Sequence, residues 1–178
     1  MDRMSKLVLT LSMVTMLGLV FPAIATAQHD GIKVHGAWTI EIHNPDGSLA
    51  SRHEIQNALT PSGAQSLASI LGGARNVGRG SWRVLVRGLD NICQSSNVAC
   101  SIGEDPQTTP ANGILSVTIV DSGLAIRLHG SVTVVVDSRL TEVETYQFFN
   151  LFSARTLPQQ IPVVAGQVVS ISVVISFS

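Results

Sequence analysis

Five histidines, three acidic residues in one long loop, four arginines at every fourth position and two cysteines carry the chemistry this chain could offer. His29, His35, His43, His53 and His129 are the candidates for metal ligation or proton transfer. On a two-residue period His43 lies opposite Trp38 and flanks a turn, while His53 lies near the far end of the next strand. The two therefore do not converge on one ion. Asp90, Glu104 and Asp105 have the oxygens that calcium needs, but their spacing matches no calcium loop. Nor can loop carboxylates be assigned the fixed separation of a glycosidase pair. No G-x-S-x-G, H-E-x-x-H or phosphate-cradling glycine motif occurs. The sequence thus reads as non-catalytic, with no cofactor and no metal, and leaves Glu104 and Asp105 as candidate partner contacts.

Arg75, Arg79, Arg83 and Arg87 would form a basic ridge on a helix. Gly78, Gly80 and the alternation that starts at Trp82 favour a strand instead, with Arg83 and Arg87 sharing a face with Leu85. On that face they are candidate contacts for an acidic sugar, a polyanion or a neighbouring subunit. Cys93 and Cys100 are spaced too widely for C-x-x-C redox chemistry, and no histidine lies near enough in sequence to complete a zinc set. They read as one structural disulfide, worth about 2.5 kcal/mol for so short a loop in the chain-entropy model.

That pairing suits an oxidising compartment, and the N-terminus agrees. Arg3 and Lys6 precede an apolar run over residues 7–20, Pro22 breaks it, and Ala25-Thr26-Ala27 makes an A-x-A processing site. The run is shorter than a membrane span requires. Residues 1–27 therefore read as a signal peptide cleaved after Ala27, and 28–178 as a single exported domain, secreted, periplasmic or at the cell surface. Processing leaves nine basic and eleven acidic residues, a net charge of −2. So weak a field argues against nucleic acid as partner.

The elements that must position these residues are mostly strands. Residues 37–43 alternate, with Trp38, Ile40 and Ile42 on one face; Asn44-Pro45-Asp46-Gly47 is a type I turn pattern; residues 48–57 return, giving a hairpin. Thr60 caps a helix that starts at Pro61, has a stripe of Ala64, Leu67, Ala68 and Leu71, and stops at Gly72-Gly73. A third strand follows at Trp82, then a long loop over 88–112. Strands are expected over 114–120 and 124–129, with Gly130 breaking the run before Val132, Val134 and Val136. Another is expected over 142–150, and a short edge segment over 151–157 that ends at Pro158. The last strand alternates most regularly: Val169, Ile171, Val173, Ile175 and Phe177 share one face and run to the chain end.

Seven to nine strands with one short helix describe an all-β fold, an antiparallel β-sandwich of Ig-like or jelly-roll topology. The sandwich pattern and the terminal strand resemble the architecture of secreted pilin and fibre subunits. The chain departs from them in its closely spaced cysteines and in lacking a prepilin helix. A long aliphatic strand at a free terminus must be paired or it recruits another chain, as in donor-strand assembly. The sequence therefore leads to an exported structural or adhesive protein, not an enzyme. It is expected to associate with itself, as a fibre or surface-appendage subunit, or with a surface partner, and to have no membrane span after processing. The alternative is a secreted carbohydrate- or ligand-binding module that uses the 88–112 loop.

Overall fold

The hairpin closes as its residues dictate. In the computed structural model, β1 (Val34–His43) pairs with β2 (Leu49–Asn57), with Trp38 opposite Ile55 and Ile40 opposite His53. The Gly47 amide donates to the Asn44 carbonyl (2.8 Å), and Gly47 takes φ 84°, which a residue without Cβ adopts at no steric cost. Asp46 accepts from both the backbone amide (2.9 Å) and the hydroxyl (2.6 Å) of Ser48, which holds its carboxyl below the usual range. The structure describes residues 33–72, 82–93, 99–104, 112–121 and 125–178. The expected signal peptide, Arg75, Arg79 and Asp105 lie outside these residues.

Seven further strands complete the sheet. They are β3 (Trp82–Gly88), β4 (Ala99–Gly103), β5 (Gly113–Val120), β6 (Ala125–Thr133), β7 (Ser138–Gln147), β8 (Asn150–Val163) and β9 (Val168–Phe177). Their order, β2-β1-β9-β6-β5-β4-β3-β7-β8, is one continuous sheet. The mostly β fold with one short helix is as the alternation demands, but the layering is barrel-like. Two contacts account for this. A short parallel pairing of Ile102 with Gly113 and Gly103 with Ile114 joins β4 to β5 and makes the sheet mixed, and a bridge from Leu59 to Ser153 brings the two outer strands together.

Helix α1 (Pro61–Leu71) covers that near-closure. The Thr60 hydroxyl accepts from the Gly63 amide (2.9 Å) and donates to the Leu151 carbonyl (2.6 Å), so the cap also ties the helix to β8. The face it buries is not the expected stripe: Ala64 and Ala68 are exposed, whereas Gly63 and Ser66 are buried. Gly63 decides this, because its Cα lies directly on the Phe152 backbone, where a Cβ would collide. The core is aliphatic and runs through both halves of the sheet, from Trp38, Ile40 and Ile42 to Val84, Val86, Ile102, Val143 and Val173. Trp82 and Phe152 meet edge to face, with centroids 5.0 Å apart.

Three expectations from the sequence are corrected. Gly130 does not break a strand; it lies buried within β6, where a Cβ would come 2.8 Å from the Ile114 carbonyl. It lets neighbouring strands approach closely. Pro158 does not end a strand either. Strand β8 runs through it because β8 is the outer strand of the order and its register with β7 is irregular between Leu140 and Glu142, so no ladder hydrogen bond is demanded there. The 88–112 segment is not all loop, since it contributes β4.

Cys93 and Cys100 are disulfide-bonded, with Cα atoms 5.5 Å apart, and both are buried. Asn112 pins the bridge to the sheet: its side chain donates to the Cys93 carbonyl and accepts from the Ser101 amide, both at 3.0 Å. Replacing both cysteines by alanine is expected to cost about 2.5 kcal/mol from loop entropy alone. For a domain of this size that lowers Tm by about 5–10 °C. Calorimetry of the double variant, beside the oxidised parent, checks it.

Candidate functional site

Strand order decides which of the outward-facing polar residues meet. On the half of the sheet formed by β2, β1, β9, β6 and β5, register aligns Glu54, Thr39, Ser172, His129 and Ser116 in one row across five strands. The next rows align Arg52, Glu41, Ser170 and Ser131 on one side, and Ala37, Val174, Arg127 and Thr118 on the other. Hydroxyls line β9 and β5, and the charged side chains come from β2, β1 and β6. The result is an open trough of about 550 Å³ on the outer face, floored by Ser170 and Ser172.

Its two walls differ electrically. On the β1–β2 side, Arg52 donates to Glu41 (2.9 Å) and Glu54 (2.7 Å), and His43 Nε2 lies 3.5 Å from Glu41. These carboxylates hold the Arg52 guanidinium above its ordinary pKa, with the Glu54 hydrogen bond the largest cause. On the β6 side, Arg127 and His129 are exposed and neither makes a hydrogen bond or ion pair with a described residue. The hydroxyls of Thr39, Ser116, Thr118, Ser170 and Ser172 likewise have no hydrogen-bond partner among the described residues. The carboxylates of the β1–β2 wall therefore share one arginine, whereas Arg127 on the β6 side has no acidic partner among the described residues.

Of the residues singled out from sequence, His129 lines the trough and His43 lies beside Glu41; the candidate assembly strand and partner contacts lie elsewhere. Val169, Ile171, Val173 and Ile175 face the core of β9, and Phe177 is half-buried at its end. Strand β9 is paired along its length by β1 on one side and β6 on the other, so its own edges are occupied. Arg83 and Arg87 project from β3, onto the outer face of the other half. The Arg83 guanidinium sits over the Tyr146 ring at 5.2 Å, and Arg87 makes two hydrogen bonds to Glu144, at 3.1 and 3.0 Å. Glu144 is only 6% exposed although it belongs to an outward-facing row. Its hydrogen bonds, and less strongly its charge, raise the Arg87 pKa, which burial partly opposes. Glu104 is structural: its amide donates to the Trp82 carbonyl (3.2 Å) and its carboxylate accepts from the Trp82 amide (3.4 Å), which fixes the start of β3. The sequence-named residues thus do not form one constellation.

Burial raises the pKa of the Tyr146 phenol above 10.0, helped by the neighbouring Glu144 charge and opposed by Arg87. A raised phenol pKa means that the folded protein holds this proton more tightly than the unfolded chain. Its stabilising effect is complete below the unfolded pKa and is lost as pH climbs through the folded one. Tyr146 is the sole tyrosine. Tyrosinate absorbance therefore reads it alone, and is expected to rise at higher pH in the folded protein than in denaturant. Among the described residues no helix is long and apolar enough to cross a membrane, and the disulfide is compatible with an extracellular or periplasmic location. The chain matches no protein-family model, no curated protein and no solved structure.

Proposed function

We propose that this is an exported, non-catalytic adhesive protein, processed after Ala27, whose outer sheet face holds a polar ligand of a surface partner. The observation that carries the reading is the trough over β9. It gathers hydroxyls from β1, β5 and β9 with no partners among the described residues, beside an arginine of β6 that is likewise unpaired among them, on a sheet whose backbone is already hydrogen-bonded. This moves the ligand-binding alternative from the 88–112 loop, whose Glu104 is engaged with β3, to the opposite half of the barrel. Retention of the exported protein on immobilised polysaccharides tests it. Ser172→Tyr, which fills the floor without touching the core, should abolish retention and leave Tm unchanged. Absence of retention by the parent protein overturns the reading. The mass of the exported protein tests processing at Ala27.

A second reading, a structural subunit that associates with its own copies, draws on the exposed Leu49, Leu89, Val135, Val136 and Val164 at or beside the 44–48, 89–93, 134–137 and 164–167 connections. Strand-edge addition is the less favoured route to such assembly. The outer strand β8 carries Pro158 and Pro162 and the outer strand β2 carries exposed Arg52 and Glu54, all devices that discourage edge pairing. Light scattering over a concentration series distinguishes a monomer from an assembling subunit.

A further inference from the structure

We propose that the trough recognises a carboxylated sugar oligomer, with the sugar carboxylate on Arg127 and the sugar hydroxyls on the serine and threonine floor. The inference rests on the reading of this face as a ligand site and names its chemistry. Three observations carry it, and they are independent.

The first is charge. Glu41 and Glu54 are already bound by Arg52, at 2.9 and 2.7 Å, whereas Arg127 has no acidic partner among the described residues. The β6 side of the trough therefore presents an arginine free to take an anion, while the two carboxylates of the β1–β2 side share Arg52. An arginine fork on an exposed strand position is suited to a planar carboxylate, which it can engage through two hydrogen bonds. The second is the floor. Hydroxyls both donate and accept, so a surface of Thr39, Ser116, Ser170 and Ser172 can answer a ligand that is itself polyhydroxylated, in more than one orientation. Among the described residues no Phe, Tyr or Trp lines it, so charge and hydrogen bonding, not ring stacking, are the source of affinity they offer.

The third is shape. The trough crosses the middle of the sheet, where β1, β9 and β6 have their backbone groups paired on both sides. A peptide cannot add there as a strand, and among the described residues Val174 is the one apolar side chain that lines the trough. From β2 to β6 is three strand spacings, about 14 Å, so the site is long enough for an oligomer rather than a single ring. A carboxylated oligosaccharide satisfies the charge, the hydroxyl floor and the length; an acidic peptide satisfies the charge and the length but has no row of hydroxyls to answer the floor.

The test is titration calorimetry of the purified protein with oligogalacturonate, with its fully methyl-esterified form, and with oligoglutamate as the acidic peptide. Saturable binding of oligogalacturonate is expected, weakened about tenfold or more by esterification or by Arg127→Ala, because either change removes the charge-assisted pair. Arg155→Ala removes the same charge from exposed β8 and should leave affinity unchanged. Both arginines are exposed, so matching Tm values confirm that the variants fold. Equal binding of the ester, equal binding by Arg127→Ala, or tighter binding of oligoglutamate overturns the carboxylated-sugar assignment while leaving a ligand site in place. Absence of binding to any of the three, combined with absence of retention on polysaccharides, overturns both this inference and the reading beneath it.

Discussion

Phe152→Ala is expected to destabilise the protein by about 4 kcal/mol, the largest single-residue effect we foresee. The ring is 2% exposed and packs edge-on to Trp82, so truncation removes both its transfer free energy and an aromatic contact, and leaves a cavity. The position also sits where β8 receives the helix: its carbonyl accepts from the Thr60 amide (3.1 Å), and the backbone beneath it abuts Gly63. Collapse of the β8 backbone into the cavity would pull on the helix cap, which limits how far the site can relax. Chemical denaturation measures the loss as a fall in midpoint at unchanged slope. A cost below about 1.5 kcal/mol would show that the Trp82–Phe152 contact is not a main support of this end of the barrel.

Arg87→Ala follows, at about 3 kcal/mol. The lower end of the range for breaking a buried pair is appropriate because the guanidinium itself is 37% exposed, whereas the Glu144 side chain is 8% exposed. Removing the arginine strands a nearly buried carboxylate whose two oxygens both rely on it, with Glu142 only 3.8 Å from the same guanidinium and unable to help. The double variant Arg87→Ala/Glu144→Gln should recover much of the loss, since a neutral amide costs far less to bury unpaired than a charge. If the single and double variants are equally unstable, the penalty comes from lost packing of the arginine stem and not from the charge. This pair, not the loop acids, is the strongest electrostatic feature of the β3–β7 face.

How far the sequence reaches depends on whether the signal is local. The β1–β2 hairpin, the Thr60 cap, the alternation of β9 and the Cys93–Cys100 bridge rest on residues within a few positions of one another, and they are where the pattern puts them. The orientation of Arg127 and His129 was also legible, because Ile126 and Leu128 claim the inward face of β6. What was not legible is adjacency. The last strand lies between the first and the sixth, so Ser172 meets Thr39 and His129 only after the whole order is built. No motif spans such separations. Gly130 and Pro158 depart from their usual role as breakers for the same reason: close strand approach overrides it in one case and an outer, irregular strand in the other. The helix face depended on where the Phe152 backbone lies, which the eleven helical residues do not encode alone.

The junction between β4 and β5 has a dynamic consequence. Among the described residues two rungs pair there, Ile102 with Gly113 and Gly103 with Ile114, flanked by the Asn112–Ser101 hydrogen bonds, whereas β1 and β9 register over ten positions. Local opening free energies scale with such cooperative contacts, so thermal breathing should start at this two-rung splice well before the long ladders yield. In deuterated buffer the amides that bridge β4 and β5 should exchange early and those of β9 last, so that the nearly closed sheet opens like two clam shells along a soft seam.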